Sequence, residues 1–171
     1  KDENLSPYSF FKSKNVELIK NLGEWFDLKY SICYFFNVYG RNHIKIGKYA
    51  TVIAIFEEQF KNGEALTVVK PGTQSRDFTH IDDVCNGLIK ATDKNEKAEY
   101  HLRYGKNFQI IDVAREFSKE ITYINERRGE RFISEQFVSD TNEVLNWYAE
   151  INLIDYINEF KNSHNRLVKK Q

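Results

Sequence analysis

The pair Tyr8 and Lys12 has the residue types and the spacing of a proton-transfer site. The two residues are four positions apart, and on a helix this spacing puts both side chains on one face. A phenol is a poor base at neutral pH, because its unperturbed pKa is about 10, but a nearby ammonium and the positive end of a helix dipole both favour the phenolate. Because Pro7 predicts a helix start, Tyr8 is expected in the first turn, where the pair could take a proton from a sugar or alcohol hydroxyl.

The spacing of this pair is not specific by itself. The chain has 10 tyrosines, and lysine is about one residue in ten, so about one Tyr-x-x-x-Lys pair is expected by chance and one is found. A solvated helix face is the simpler interpretation of the pair alone. The elements and motifs around the pair must therefore distinguish a proton-transfer site from a solvated helix face.

Composition excludes several classes of function. In the 171 residues, 25 basic residues balance 25 acidic ones, which argues against binding to nucleic acid. No apolar run approaches the ~20 residues that a membrane span requires. Two cysteines, Cys33 and Cys85, are too few for a disulfide scaffold and indicate reduced thiols in the cytoplasm; both are expected in the core.

Hydrophobic periodicity predicts helices that alternate with single short strands, the pattern of an α/β fold. Helices are predicted from Ser6-Pro7 to near Phe26, from Lys48 to Asn62-Gly63, around Ile81 to Leu88, over 110–117, from a capping box at Asp140 to Trp147, and over 153–160 with a frayed polar tail from 162. Strands are predicted over 30–36, 66–69, 100–102 and 122–124, and a loop over 37–47. Such strands are too few for a complete sheet, so part of the fold is expected to be missing.

Four segments in this order resemble the carboxyl-terminal half of the extended short-chain dehydrogenase/reductase family. They are Ser6-Pro7-Tyr8-Ser9-x-x-Lys12, Phe36-Asn37-Val38-Tyr39-Gly40, Gln74-Ser75-Arg76-Asp77-Phe78-Thr79-His80-Ile81-Asp82-Asp83-Val84 and Arg127-Arg128-Gly129-Glu130. The third segment is the most specific, and the resemblance runs from Ser6 to about Trp147. The family includes NAD-dependent nucleotide-sugar epimerases and 4,6-dehydratases.

The resemblance implies a role for five residues. The tyrosine that matches Tyr8 exchanges the proton of a sugar hydroxyl while NAD accepts the hydride, and the lysine that matches Lys12 binds the nicotinamide ribose and supports the phenolate. The side chains that match Asn37, Arg76 and Arg127 hold the diphosphate and nucleoside of the sugar nucleotide, which suits the planar guanidinium fork. Without the family, a surface salt bridge would be the default interpretation of the two arginines.

Some positions depart from the family pattern. Tyr34 stands where an arginine is usual, Phe11 where a serine is usual, and Arg41 and Arg128 where prolines are usual, so the shape of the sugar site is open to change. Arg41 is interpreted as a solvated loop cation rather than a contact for an acidic substituent. His80 beside Asp82 is interpreted as a structural hydrogen-bonding residue and not as a metal ligand; no metal site is expected.

The 171 residues contain no glycine-rich turn of the G-x-G-x-x-G or G-x-x-G-x-x-G type, which the nicotinamide fold needs after its first strand. By the family pattern that dinucleotide-binding half precedes the Tyr8–Lys12 helix, so the chain is interpreted as a fragment. The fragment alone is expected to be inactive and to bind NAD weakly or not at all. Its first helix is expected to expose an apolar flank and to support a homodimer.

The leading hypothesis is thus part of an NAD-dependent nucleotide-sugar epimerase, which oxidises a ring hydroxyl transiently and returns the hydride to the opposite face. The alternatives are a nucleotide-sugar 4,6-dehydratase and a non-catalytic nucleotide-sugar-binding relative. Residues 1–47 are expected to hold the Tyr-Lys helix and the following strand of the Rossmann part, 48–165 mainly the substrate-binding domain with returning Rossmann elements, and 166–171 a frayed tail. The expected partner is a nucleotide-diphosphate sugar.

Overall fold

The computed structural model describes residues 6–47, 49–94, 96–125 and 139–168. Helices and strands alternate through most of this length, as an α/β fold requires. The helices are α1 (Pro7–Phe26), α2 (Val52–Lys61), α3 (Ile81–Thr92), α4 (Ile110–Phe117), α5 (Thr141–Leu145) and α6 (Leu153–Val168). The strands are β1 (Tyr30–Phe35), β2 (Asn37–Tyr39), β3 (Leu66–Val69), β4 (Ser75–His80), β5 (Lys97–Leu102), β6 (Asn107–Gln109) and β7 (Ile121–Ile124).

The described strands form three small sheets. β1 pairs in parallel with β5, and β3 pairs in parallel with β7. The third sheet has the order β2-β4-β6, in which β2 is parallel and β6 antiparallel to β4. Only Phe36 separates β1 from β2, so the chain passes from the first sheet to the third within one residue.

Helix α1 is long but lies against the rest of the described structure only near its end. The Ser6 hydroxyl accepts a hydrogen bond from the backbone N–H of Ser9, which caps the helix, and Pro7 occupies its first turn. Gly23 is its one buried residue and packs against the ring of Tyr30 on β1. The predicted helix is confirmed.

The exposed apolar flank predicted for this helix is also confirmed. Phe11, Leu18 and Trp25 are 64%, 51% and 65% exposed. Their spacing of seven residues places them on one stripe of the helix. Helix α1 thus presents three large apolar side chains to solvent on one side.

Two hydrophobic cores hold the remaining elements together. The larger core lies among α2, α4, α6 and strands β3 and β4, and it includes Phe56, Phe78, Phe117 and Ile157. The smaller core lies between the β1–β5 sheet, α3 and the segment after α5, where Leu102 and Trp147 meet.

Several predicted elements need correction at their boundaries; β5, for example, begins at Lys97 rather than Tyr100. Helix α2 begins at Val52 rather than Lys48, because the Thr51 hydroxyl caps it by accepting from the N–H of Ala54; Lys48 itself lies outside the described residues. The predicted loop over 37–47 begins with a strand, β2, because β4 supplies a partner. Helix α6 continues past Phe160 to Val168, so 162–168 are helical rather than frayed.

The capping box predicted at Asp140 is wrong. Asp140 makes no side-chain cap, and the hydroxyl of Ser139 accepts from the N–H of Thr141 instead. Helix α5 ends before Trp147, because Asn146 adopts a left-handed conformation.

The two cysteines are less buried than the sequence suggested. Cys85 lies on the outer side of α3 and is exposed, because Val84 and Gly87 form the buried side of that helix. Cys33 is half-buried, and desolvation raises the pKa of its thiol.

Gly87 lets α3 approach the smaller core closely. A β-carbon there would lie 2.7 Å from Cδ2 of Leu102 and 3.1 Å from Cε2 of Trp147. In an open helix Gly→Ala stabilises by up to about 1 kcal/mol, but overpacking costs about 1–3 kcal/mol. We therefore expect Gly87→Ala to lower the free energy of unfolding, measured by urea denaturation. The exposed neighbour Asn86 is the control: Asn86→Ala should be neutral or stabilising, and a stable Gly87→Ala would contradict this packing.

Candidate functional site

Tyr8 and Lys12 lie one helical turn apart at the start of α1, as the sequence predicted. The ammonium of Lys12 lies 5.7 Å from the centre of the Tyr8 ring, within cation–π range. Tyr8 is 70% exposed and Lys12 is exposed, so both side chains are open to a ligand. Their position in the first two turns puts them near the positive end of the helix dipole.

Asn37 and Arg76 are brought together on the third sheet. Asn37 lies opposite Phe78 in the parallel pairing of β2 with β4, and Arg76 comes two residues before Phe78. Because side chains alternate along a strand, Asn37 and Arg76 emerge on the same face, with Cα atoms roughly 8 Å apart by strand spacing and rise. The strand register thus puts these two residues on one face of the sheet, whereas Arg127 lies outside the described residues.

Both side chains of this face are held by backbone carbonyls. The amide nitrogen of Asn37 donates to the carbonyl oxygen of Asp77 at 3.0 Å, and Nη1 of Arg76 donates to the carbonyl oxygen of Ser75 at 2.9 Å. These bonds restrain the Asn37 amide and one nitrogen of the Arg76 guanidinium.

Asp77, a residue without a predicted role, lies on β4 next to this face. Its carboxylate is fully buried, yet it accepts from the N–H of Gly105 at 2.9 Å, from Nε of Arg103 at 3.0 Å and from the N–H of Tyr104 at 3.1 Å. Burial raises the pKa of Asp77, while the Gly105 N–H and Arg103 oppose that rise. In the sequence, only the place of Asp77 beside Arg76 in the most specific motif could have indicated its importance.

His80 is a structural residue, as predicted. Its Nδ1 accepts from the N–H of Asp82 at 3.2 Å and caps α3. The next acidic residue, Asp83, is buried and accepts from the N–H groups of Glu150 and Ile151. Among the described residues no cluster of three or more His, Cys, Asp or Glu could hold a metal ion.

Tyr34, which stands where the family usually has an arginine, belongs to a polar cluster that ties α1 to the first sheet. Its hydroxyl donates to Glu99 at 2.5 Å, and Lys20 of α1 forms an ion pair with the same carboxylate at 2.5 Å. Burial and then Glu99 raise the pKa of Tyr34 to about 12. Burial alone would raise the pKa of Glu99, but the bonds from Lys20 and Tyr34 outweigh it and leave that pKa below its usual range.

Other features lie away from these residues. Arg41 is exposed and lies 3.6 Å from Glu159, which fits the predicted loop cation. In the described part of the chain, two surface cavities of about 370 and 470 Å³ are lined by neither Tyr8, Lys12, Asn37 nor Arg76. No helix among the described residues is both long and apolar enough to cross a membrane.

The fold matches solved structures of sugar-nucleotide enzymes. The UDP-glucose 4-epimerase of Thermotoga maritima, solved with UDP-glucose, matches with a TM-score of 0.84 and 25% identity over 95% of this chain and 54% of that chain. The UDP-glucuronic acid 4-epimerase of Bacillus cereus, solved with UDP-glucuronic acid and NAD, matches with a TM-score of 0.78 and 21% identity over 95% of this chain and 54% of that chain. The fold is therefore of the Rossmann-like α/β class.

Sequence comparison gives the family. Residues 1–105 match the model of the NAD dependent epimerase/dehydratase family, and the chain belongs to this family. It is 30% identical over 125 residues to UDP-glucuronic acid decarboxylase 3 of Arabidopsis thaliana, covering 69% of this chain and 36% of that protein. It is 29% identical over 163 residues to the UDP-glucuronate 4-epimerase of Thermodesulfobacterium geofontis, covering 89% of this chain and 48% of that protein. The chain thus spans half or less of these curated relatives.

The surroundings of His101 on β5 predict that the stability of the fold depends on pH. Its ring stacks on that of Tyr34, with centres 4.9 Å apart, and burial lowers the pKa of His101 below 6.5, although Glu99 opposes the shift. As the pH falls below about 6.5, the His101 imidazole is protonated in the unfolded chain before it is protonated in the folded chain. The folded state therefore loses stability relative to the unfolded state as the pH falls.

We therefore expect the urea concentration at the unfolding midpoint to be lower at about pH 5.5 than at about pH 7.5. In His101→Phe, which keeps a stacked ring, this difference between the two pH values should be smaller. His164→Phe on α6 is the matched control and should keep the wild-type response. An equal fall in wild type and His101→Phe would contradict the assignment.

Proposed function

We propose that these residues are the carboxyl-terminal part of an NAD-dependent nucleotide-sugar epimerase. The observation that carries the proposal is the arrangement of two polar pairs. Tyr8 and Lys12 open α1, and the strand that follows α1 leads directly into Asn37, which shares a sheet face with Arg76. One pair suits proton transfer, and the other suits the diphosphate of a sugar nucleotide.

The chemistry of the side chains follows from their positions. The Tyr8 phenolate takes the proton of a ring hydroxyl, and the Lys12 ammonium stabilises that phenolate and binds hydroxyls of the cofactor ribose. NAD, when bound, accepts the hydride and returns it. Asn37, Arg76 and Arg127 hold the nucleoside diphosphate while the oxidised sugar rotates. The hydride returns to the opposite face of the ring carbon, and Tyr8 gives its proton back to the oxygen of the same carbonyl.

Lys12 and Tyr8 fit the nicotinamide end of NAD, since both are exposed polar groups at a helix start. The pyrophosphate end needs a glycine-rich turn, which these 171 residues do not contain. We place that turn in a dinucleotide-binding half that is not among them. The share of the relatives' length that the chain spans supports this placement.

The edges of the β1–β5 sheet favour the same arrangement. The N–H of His101 on β5 donates to the hydroxyl of Thr141, so the outer edge of β5 is partly occupied. The outer edge of β1 has no strand partner among the described residues. Because purely parallel sheets are stable as larger, covered sheets, the dinucleotide-binding half would extend this sheet at β1.

A decarboxylase is the second candidate, because UDP-glucuronic acid decarboxylases are among the relatives. It would use the same oxidation by NAD, with Tyr8 and Lys12 in the same roles, and differ in the later step. A 4,6-dehydratase would also share that oxidation, whereas a non-catalytic relative would have no need of both side chains. Product analysis with UDP-glucuronic acid separates epimer from decarboxylated sugar.

We expect Tyr8→Phe in the full-length enzyme to lower kcat by about 10²–10⁴-fold, because general acid–base catalysis contributes that much, and to leave UDP binding unchanged. Steady-state turnover and calorimetric titration with UDP measure the two quantities. Tyr148→Phe, which removes an exposed phenol elsewhere, is the control.

Arg76→Ala, in contrast to Tyr8→Phe, should weaken UDP binding: we expect UDP affinity to be lower by about tenfold or more, because the substitution removes a charge-assisted contact.

The isolated 171 residues should show no turnover and weak or no NAD binding. Near-normal turnover of Tyr8→Phe would contradict the proposed function.

We further propose that the apolar stripe of α1, formed by Phe11, Leu18 and Trp25, joins two copies of the chain. Three large exposed side chains on one stripe are an unfavourable surface in water. Leu18→Glu should therefore shift sedimentation velocity profiles toward monomer. Ile89→Glu, which adds the same charge to an exposed apolar site on α3, should not. A wild-type chain that stays monomeric at high concentration would contradict this proposal.

A further inference from the structure

The candidate catalytic pair and the candidate binding pair belong to two different sheets. Helix α1, with Tyr8 and Lys12, packs on the β1–β5 sheet, whereas Asn37 and Arg76 lie on the β2-β4-β6 sheet. The covalent link between the sheets at this point is a single residue, Phe36. The relative position of the two pairs therefore depends on what holds the two sheets together.

The carboxylate of Asp77 is the contact at this joint. Asp77 lies on β4, and the groups that bind it, Arg103, Tyr104 and Gly105, lie in the segment directly after β5. Thr79, two residues along the same face of β4, also accepts from the N–H of Tyr104 at 3.1 Å. One buried charge thus fastens the end of the first sheet to the central strand of the third.

Arg103 completes the joint from the other side. Its side chain is largely buried, its Nε bonds to Asp77, and its guanidinium carbon lies 5.3 Å from the centre of the Phe36 ring. The residue at which the chain changes sheets is therefore packed against the cation that the carboxylate holds. The backbone carbonyl of Asp77 also receives the amide of Asn37, so the same residue touches the binding face.

We infer that Asp77 is a positioning residue that sets the placement of Tyr8 and Lys12 relative to the sugar nucleotide. The inference rests on the proposed function and extends it to a residue that touches neither substrate nor cofactor. Loss of the Asp77 carboxylate is expected to affect the two pairs differently. Asn37 and Arg76 sit on the same small sheet as Asp77 and keep their mutual geometry when its carboxylate is lost, whereas the first sheet and α1 shift relative to them.

The experiment is Asp77→Asn in the full-length enzyme, with kcat and the Kd for UDP measured separately. The amide keeps the volume but presents an N–H where three donors converge, so the segment 103–105 must move. We expect kcat to fall about 10²-fold, since a displacement of ~1 Å costs that much, and the Kd for UDP to change by less than about threefold. Arg103→Lys keeps the charge without the fork and should give a smaller fall in kcat.

The matched control is Asp83→Asn. Asp83 belongs to the same motif, is also buried and accepts two backbone N–H groups, but these lie at residues 150 and 151 and not in the segment 103–105. Each variant disturbs buried hydrogen bonds, so values are compared per folded molecule, with folding checked by circular dichroism and urea denaturation. Asp83→Asn should keep kcat close to that of the wild type.

The outcomes are distinct. A selective fall in kcat in Asp77→Asn supports the inference. Equal effects of Asp77→Asn and Asp83→Asn on kcat would show a merely structural role and overturn the inference, and so would a parallel fall of kcat and UDP affinity in Asp77→Asn. If Asp77→Asn does not fold, an unchanged kcat in Arg103→Lys overturns the inference. A wild-type enzyme that does not bind UDP, or whose turnover survives Tyr8→Phe, refutes the proposed function and this inference with it.

Discussion

The buried carboxylate of Asp77 is the constraint on which the arrangement of this chain depends. A charged group without exposure to water is stable only where donors converge on it, and here two backbone N–H groups and one guanidinium do so. Those donors belong to consecutive residues after β5, so satisfying one side chain fixes the course of that segment. The antiparallel pairing of β6 with β4 follows, because the segment enters β6 directly.

The first sheet shows the complementary constraint. A parallel pair such as β1 and β5 needs both faces and both edges covered, and the described residues cover one face with α3 and leave α1 in contact mainly near Gly23. The ion pair of Lys20 with Glu99 adds to this contact but is partly exposed, so it contributes little by itself. The position of α1 is therefore the least firmly determined part of the candidate site, and it is the part that carries Tyr8 and Lys12.

Much of the fold could be predicted from the sequence because local signals agreed with it. Pro7 and the apolar period gave α1, Asn62-Gly63 closed α2, and short apolar runs gave β1 and β3. The errors arose where a distant partner decides. Asn37–Tyr39 became a strand only because β4 lies beside it, and Asp140 lost its cap to Ser139. The candidate site residues were chosen by motif, and the sheet face that Asn37 and Arg76 share depends on a strand register that spacing along the chain does not contain.

The most specific motif marks the fold more than the chemistry. Asp77 and Asp83 of this motif hold distant backbone segments and His80 caps a helix, while Arg76 lies on the same sheet face as Asn37. A sequence can keep such a motif to keep its structure, whatever reaction it catalyses. The assignment of chemistry therefore depends on Tyr8 and Lys12, whose spacing is common by chance. Their weight comes from the helix that carries them, because it leads through β1 into the strand that begins with Asn37.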